Sequence, residues 1–218
     1  MLLFTAALLL ALTPHQARQR PLGSTVTVDG FVTVPSGLFN SFMQDQGFVL
    51  NDPISGIYSQ TQNKGYRSLG SAVEVRGELA EEHGLLVLRA RHIRLKRGHR
   101  LISPRRIELS QVDEIREGQI VRLEGEVARP LVDDLPAGYK LFLRGAGTNE
   151  VQVFLPPSVH PDPAMLTPGR RLEVTGWCAQ YNQTYEVIVR SARDLQPRSK
   201  VSGSPPGVNH AVTALALH

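Results

Sequence analysis

Several short runs of this sequence occur twice, in the same order and at nearly the same spacing. Val26-Thr-Val-Asp-Gly30 matches Val121-Arg-Leu-Glu-Gly125 at an offset of 95 residues. Leu69-Gly-Ser-Ala-Val-Glu-Val-Arg-Gly77 matches Pro168-Gly-Arg-Arg-Leu-Glu-Val-Thr-Gly176 at an offset of 99. Between them, Gly47-Phe-Val-Leu before Gly56-Ile-Tyr pairs with Lys140-Leu-Phe-Leu before Glu150-Val-Gln-Val. A period near 95 residues is too long for a solenoid repeat and suits a small domain. The chain therefore reads as two copies of one unit.

The repeated runs are strands. Val26, Val28, Val32 and Val34 alternate with Thr27, Asp29 and Thr33, Val73 and Val75 with Glu74 and Arg76, and Leu86, Leu88 and Ala90 with Val87, Arg89 and Arg91. Period two with one apolar face marks a half-buried strand, and no long segment of helical period appears after residue 22. Five strands are expected per copy: 25–34, 46–51, 56–60, 72–80 and 84–96, then 119–129, 139–145, 150–155, 170–179 and 183–194. In both copies the interval after the third strand is longer than a hairpin. Five strands with that insertion describe the OB-fold barrel, a Greek-key arrangement. The expected fold is thus all-β: two consecutive five-stranded OB-fold barrels with short helical turns only, each burying its own core. Gly30 and Gly125 fall mid-strand, where barrel closure needs a bend. A single β-sandwich over the whole chain is the competing fold.

The expected domains are 23–97 and 119–196, joined by a polar linker at 98–118 and followed by a flexible tail at 197–218. Ser110-Gln-Val-Asp113 resembles a capping box and predicts one helical turn in the linker. Residues 1–22 stand apart as a signal peptide or apolar leader. Met1–Leu12 carries no charged side chain and only Thr5 is polar. Twelve residues are too few to span about 30 Å of hydrocarbon as a helix, but they fit the apolar region of an export signal. Processing is expected between Ala17 and Leu22, which places the protein in the periplasm or outside the cell, with no membrane span left after leader removal. A buried apolar helix is the alternative.

Gly47-Phe-Val-Leu-Asn-Asp52 followed by Gly56-Ile-Tyr58 resembles a run of bacterial extracytoplasmic OB-fold modules. Gly118-Gln-Ile-Val-Arg-Leu-Glu-Gly125 and Pro168–Gly176 are similar to the second module of such tandem pairs. These pairs occur in the sensor regions of some membrane histidine kinases, and related single modules occur in secreted nucleases. The resemblance covers roughly 25–195. It implies extracytoplasmic sensing or adaptor work, and no kinase or nuclease catalytic residue carries over.

Nothing in the sequence assembles a catalytic, cofactor or metal site. The single cysteine, Cys178, excludes an internal disulfide and a cysteine zinc cluster. None of the seven histidines pairs with another at the spacing of a helical zinc site, and Asp133-Asp134 lacks further oxygen ligands. No nucleophile elbow or Walker loop is present. A non-catalytic recognition module is expected, its partner an unknown protein or small ligand.

Charge points to the alternative partner. The net charge of +4 is uneven: residues 1–106 hold 13 basic and 7 acidic side chains, whereas 107–218 hold 11 and 13. A polyanion meets the first half more readily. Arg89, Arg91, Arg94 and Lys96 lie on one strand, and Arg89 and Arg91 share a sheet face, so a row of cations can track a phosphate backbone. Phe39, Phe42, Phe48 and Tyr58 fall on strands two and three or the first loop, where OB folds stack bases. Lys64 and Arg67 extend the basic set. Single-stranded nucleic-acid binding by copy one is therefore the alternative function. Against it stands the reading that these rings plug the barrel and the arginines only solubilise a strand. Trp177, Tyr181 and Tyr185 in copy two either pack the barrel or the interface between copies, or receive a peptide, glycan or partner surface.

Overall fold

The computed structural model describes residues 10–39, 44–145, 147 and 149–198. The first unit is a closed barrel of β1 (Thr25–Val34), β2 (Phe48–Asn51), β3 (Gly56–Gln60), β4 (Ser71–Glu82) and β5 (Leu85–His99). Neighbours run β1-β2-β3-β5-β4, with β4 returning to β1 and β3 parallel to β5. The second unit begins with β6 (Arg105–Arg106) and continues through β7 (Ile120–Val127), β8 (Val132–Asp134), β9 (Gly138–Arg144) and β10 (Glu150–Leu155). It ends with β11 (Arg171–Tyr181), β12 (Thr184–Ile188) and β13 (Leu195–Arg198). Its pairings β7-β9-β10-β12-β11, closed by β11 on β7, repeat the ring of the first. The protein is thus all-β, with two consecutive OB-type barrels. Among the described residues no helix is long and apolar enough to cross a membrane.

The repeated glycines sit where the barrels are tightest. A Cβ on Gly30 would lie 3.2 Å from Leu50 Cβ, and one on Gly125 3.0 Å from Leu143 Cβ. Both mark the place where the first strand of a barrel leaves the fourth strand for the second. The same holds for Gly77 and Gly176, whose missing Cβ atoms would strike the carbonyls of Arg89 and Ile188 across the last hairpin.

Each barrel has its own core. Val26, Val28, Phe48, Leu50, Ile57, Val73 and Leu88 fill the first. Val121, Leu123, Leu141, Leu143, Val153, Val187 and Cys178 fill the second. A third cluster spans both: Val34, Phe39, Val49, Tyr58, Leu85 and Val87 from the first barrel meet Phe154, Trp177, Ala179 and Ile188 from the second. The barrels are therefore not independent beads. Their backbones touch where Gly56 meets Gly118, and Asn51 Nδ2 donates to Gly118 O at 3.0 Å. Arg190 Nη1 donates to Thr33 O at 3.1 Å.

The segments outside the barrels differ from expectation. Leu12 bridges to Val28, and the short helix α1 (Pro14–Arg18) lies on β1 with Ala17 buried in the first core. Arg18 reaches Glu117 at 3.0 Å. Residues 12–20 thus belong to the first unit's packing, whereas the sequence pattern places the start of that unit at residue 23. The stretch 98–118 is also more than a linker, because β6 pairs with β7 and Ile107 and Leu109 enter the second core. It contains two 3-10 turns, Leu109–Gln111 and Glu114–Arg116, the second capped by Asp113 rather than Ser110. The expected strand 183–194 ends at Ile188. Arg190 folds back on Asp194, with Nη2 to Oδ1 at 2.7 Å, and β13 follows through Arg198. Residues 199–218, the rest of the expected tail, lie outside the described residues.

Candidate ligand surfaces

On an OB barrel the outer face of strands two and three, with the adjoining loops, is the usual ligand surface. In the first barrel this face is β2–β3, and it is closed. Phe48 points inward, fully buried, with the Arg67 guanidinium 5.4 Å from its ring centroid. Tyr58 points outward but lies under the second barrel. Its ring stacks on Trp177, centroids 5.5 Å apart and planes 21° apart. Its hydroxyl donates to Asp45 Oδ1 at 2.5 Å, and burial, then the Asp45 charge, holds the phenol well above its usual pKa. Phe39 packs on the same pair, 5.4 Å from Trp177. The expectation that Phe39, Phe48 and Tyr58 stack bases is therefore corrected: alternation does not decide which face Phe48 takes, and it carries no sign of the second barrel that covers Phe39 and Tyr58. Phe42 lies outside the described residues.

The basic row is also committed. Arg89 Nη2 bonds Glu82 at 2.8 Å, Arg91 bonds Glu78 at 2.7 Å, and Arg94 grips Glu74 with two bonds of 2.8 and 2.9 Å. Lys96 bonds Asp29 at 2.6 Å. The hydrogen bond from Arg94 holds Glu74 below the usual carboxylate range. These four cations form a ladder with acids of β4 and β1, not a free phosphate track. Arg67 is buried and donates to the carbonyls of Asn63 and Gly65. Desolvation lowers its pKa. Only Lys64 of the expected basic set is exposed with no ion pair among the described residues.

Unpaired positive charge lies further along. Arg97 near the end of β5, Arg100 just after it and Arg105 on β6 are exposed and form no ion pair among the described residues. Between Lys96 and Ile107 the chain has no acid. Arg100 N donates to Gly70 O at 2.9 Å, and the His99 ring contacts Leu69 O at 3.1 Å. This binds the strip to the segment 61–70, which displays Lys64 and the 68% exposed Tyr66.

In the second barrel the corresponding face stays open. Lys140, Phe142 and Arg144 alternate with the core residues Leu141 and Leu143, so they face outward. Arg129 already covers the Phe142 ring, its guanidinium carbon 3.5 Å from the centroid. Beside them lies Glu186 on β12, 1% exposed, taking a hydrogen bond of 2.5 Å from Gln152. Burial pushes its pKa up to about 7, against the lowering effects of Gln152 and Lys140. Sequence reasoning missed Glu186, whose only trace is a lone acid within an otherwise apolar strand end. Trp177 belongs to the interface, while Tyr185 donates to Glu114 at 2.8 Å. Cys178 is buried, which pushes its thiol pKa up.

No protein-family model matches the sequence, and no curated protein does. Among solved structures, the chain is similar to fission yeast Pot1 with ssDNA, at 11% identity over 89% of this chain and 90% of that one, TM-score 0.42. A murine DNA binding protein bound with ds DNA is similar at 10% identity over 80% and 97%, TM-score 0.40. The p204 HINb domain is similar at 12% identity over 81% and 98%, TM-score 0.37. No residue of this chain takes a role from these likenesses.

Proposed function

We propose that the protein is a non-catalytic recognition module that binds single-stranded nucleic acid along the end of β5 and the linker. One observation carries this: Arg97, Arg100 and Arg105 are exposed and free of acids, and they adjoin a segment bearing an exposed Lys64 and Tyr66. Cations that follow a backbone beside an aromatic face are the common means of holding single strands. The aromatic face of the first barrel has no part in it, because the second barrel covers that face.

Fluorescence anisotropy with a labelled single strand, over a range of salt, tests the reading. Replacing Arg97, Arg100 and Arg105 together by Ala should flatten the log–log salt slope by roughly 2, at about 0.7 per phosphate contact. Tyr66→Ala should cost about 1–3 kcal/mol with no change in slope. Absence of binding at low salt would remove the proposal. An extracytoplasmic sensor or adaptor role is the second reading, favoured by a different feature: a cavity where the barrels meet.

A further inference from the structure

Where β8–β10 and β12 of the second barrel approach the β4–β5 turn of the first, the surface sinks into a cavity of about 460 Å³. Its charges do not balance. Glu82, Asp134 and Glu186 line it against one ammonium, that of Lys140. Lys140 is already held by Asp134 at 2.6 Å, and Glu82 by Arg89 at 2.8 Å. Glu186 has no ion-pair partner among the described residues and receives only the neutral Gln152 amide. A buried carboxylate normally finds a cation, or else it is protonated. The lining also holds two aromatic rings. His83, in the β4–β5 turn, and Tyr181, at the end of β11, set their rings 5.1 Å apart at 38°.

We propose that this cavity binds an organic cation, a primary ammonium or a guanidinium, seated between the carboxylate of Glu186 and the rings of His83 and Tyr181. The carboxylate supplies the charge and the tyrosine face a cation–π contact, which gains strength where water is excluded. A bare metal ion fits poorly, because no three His, Cys, Asp or Glu side chains among the described residues converge on one point. A phosphate is repelled by the Glu186 carboxylate, the acid left without an ion pair among the described residues. The inference gives the sensor reading its ligand class. It does not depend on the nucleic-acid strip, which lies on other residues.

The site is sensitive to pH, because only ionised Glu186 takes the cation. The groups facing it are Lys140 of β9, Asp134 of β8, Gln152 of β10, Glu82 and His83 of the β4–β5 turn, and Tyr181 of β11. With half-ionisation near pH 7, affinity should rise roughly tenfold from pH 6 to pH 8, and each cation bound below pH 7 should release a proton.

Agmatine is a suitable probe, titrated into the whole protein by calorimetry at pH 6, 7 and 8 in two buffers of different ionisation enthalpy. The expected result is saturable binding that tightens with pH, with proton release, and loss of binding in Glu186→Gln. Amide shifts of the unaltered protein give a second measurement that needs no variant: agmatine should move Glu186 and Tyr181, and the uncharged 1-butanol should not. The inference is overturned by no binding, by affinity independent of pH, by Glu186→Gln binding as well as the parent, or by equal binding of a neutral sugar or of calcium chloride.

Discussion

The two barrels share a ring of five strands and the same pair of close-packed glycine positions, yet they turn opposite kinds of surface outward. On the second and third strands of the first barrel the outer residues include Val49 and Tyr58, both buried under the second. On the same strands of the second barrel they include Lys140, Phe142, Arg144 and Gln152, and much of that face remains open. Inward positions and glycines are what two copies of a barrel must keep. Outward positions are free to diverge, and here they made one copy's face a docking surface for the other barrel and left the other copy's face partly open to solvent. The half of the chain with the excess of basic residues is the one whose usual ligand face is lost.

The largest effect that would break this comparison comes from the shared core. Trp177→Ala removes the ring on which Phe39 and Tyr58 rest, at a cost of about 3–5 kcal/mol. Scanning calorimetry should show a lower transition that separates into two as the barrels uncouple. An unchanged single transition would mean that the third cluster contributes little.

Next in size is Glu186→Gln, on the open barrel. Burial raises the folded-state pKa from an ordinary 4.5 to about 7. For an acid with a raised pKa, the penalty is absent below the unfolded pKa, grows between the two values and is full above the folded one. The substitution should therefore stabilise the protein by on the order of 3 kcal/mol at pH 8 and leave it unchanged at pH 4. Urea unfolding at the two pH values measures this. Equal stability of both proteins at pH 8 would place the carboxylate in contact with water.

The smallest effect concerns the ladder on the first barrel. Arg94→Ala should change stability little, since its pair with Glu74 is exposed on the arginine side and screened by salt. It should leave oligonucleotide affinity unaltered. A marked fall in affinity would return the phosphate track to the middle of β5.

What could be read from the sequence followed from what a barrel cannot vary. Gly30, Gly77, Gly125 and Gly176 recur because a Cβ has no room at those turns of the ring, and alternation located the strands around them. The junction was hidden because Val49 and Tyr58 are buried on the outer face, where alternation predicts solvent. The ladder has a trace in the sequence: Glu74, Glu78 and Glu82 recur every fourth residue on β4, facing the arginines of the next strand. Arg190 and Asp194 hid the break in the last strand, because an ion pair four residues apart leaves no signature of a turn in hydrophobic periodicity.

The shared core also sets an order of events during synthesis. A chain emerging from its amino end completes the five strands of the first barrel at His99, but Trp177, Ala179 and Ile188 are still to be made. Until then Val49, Tyr58, Leu85 and Val87 form an apolar patch facing water, the kind of surface that captures chaperones and drives aggregation. Arg18 likewise waits for Glu117. The nascent chain is thus most vulnerable when it is about half made, and slowing translation beyond residue 100 should lengthen that exposure.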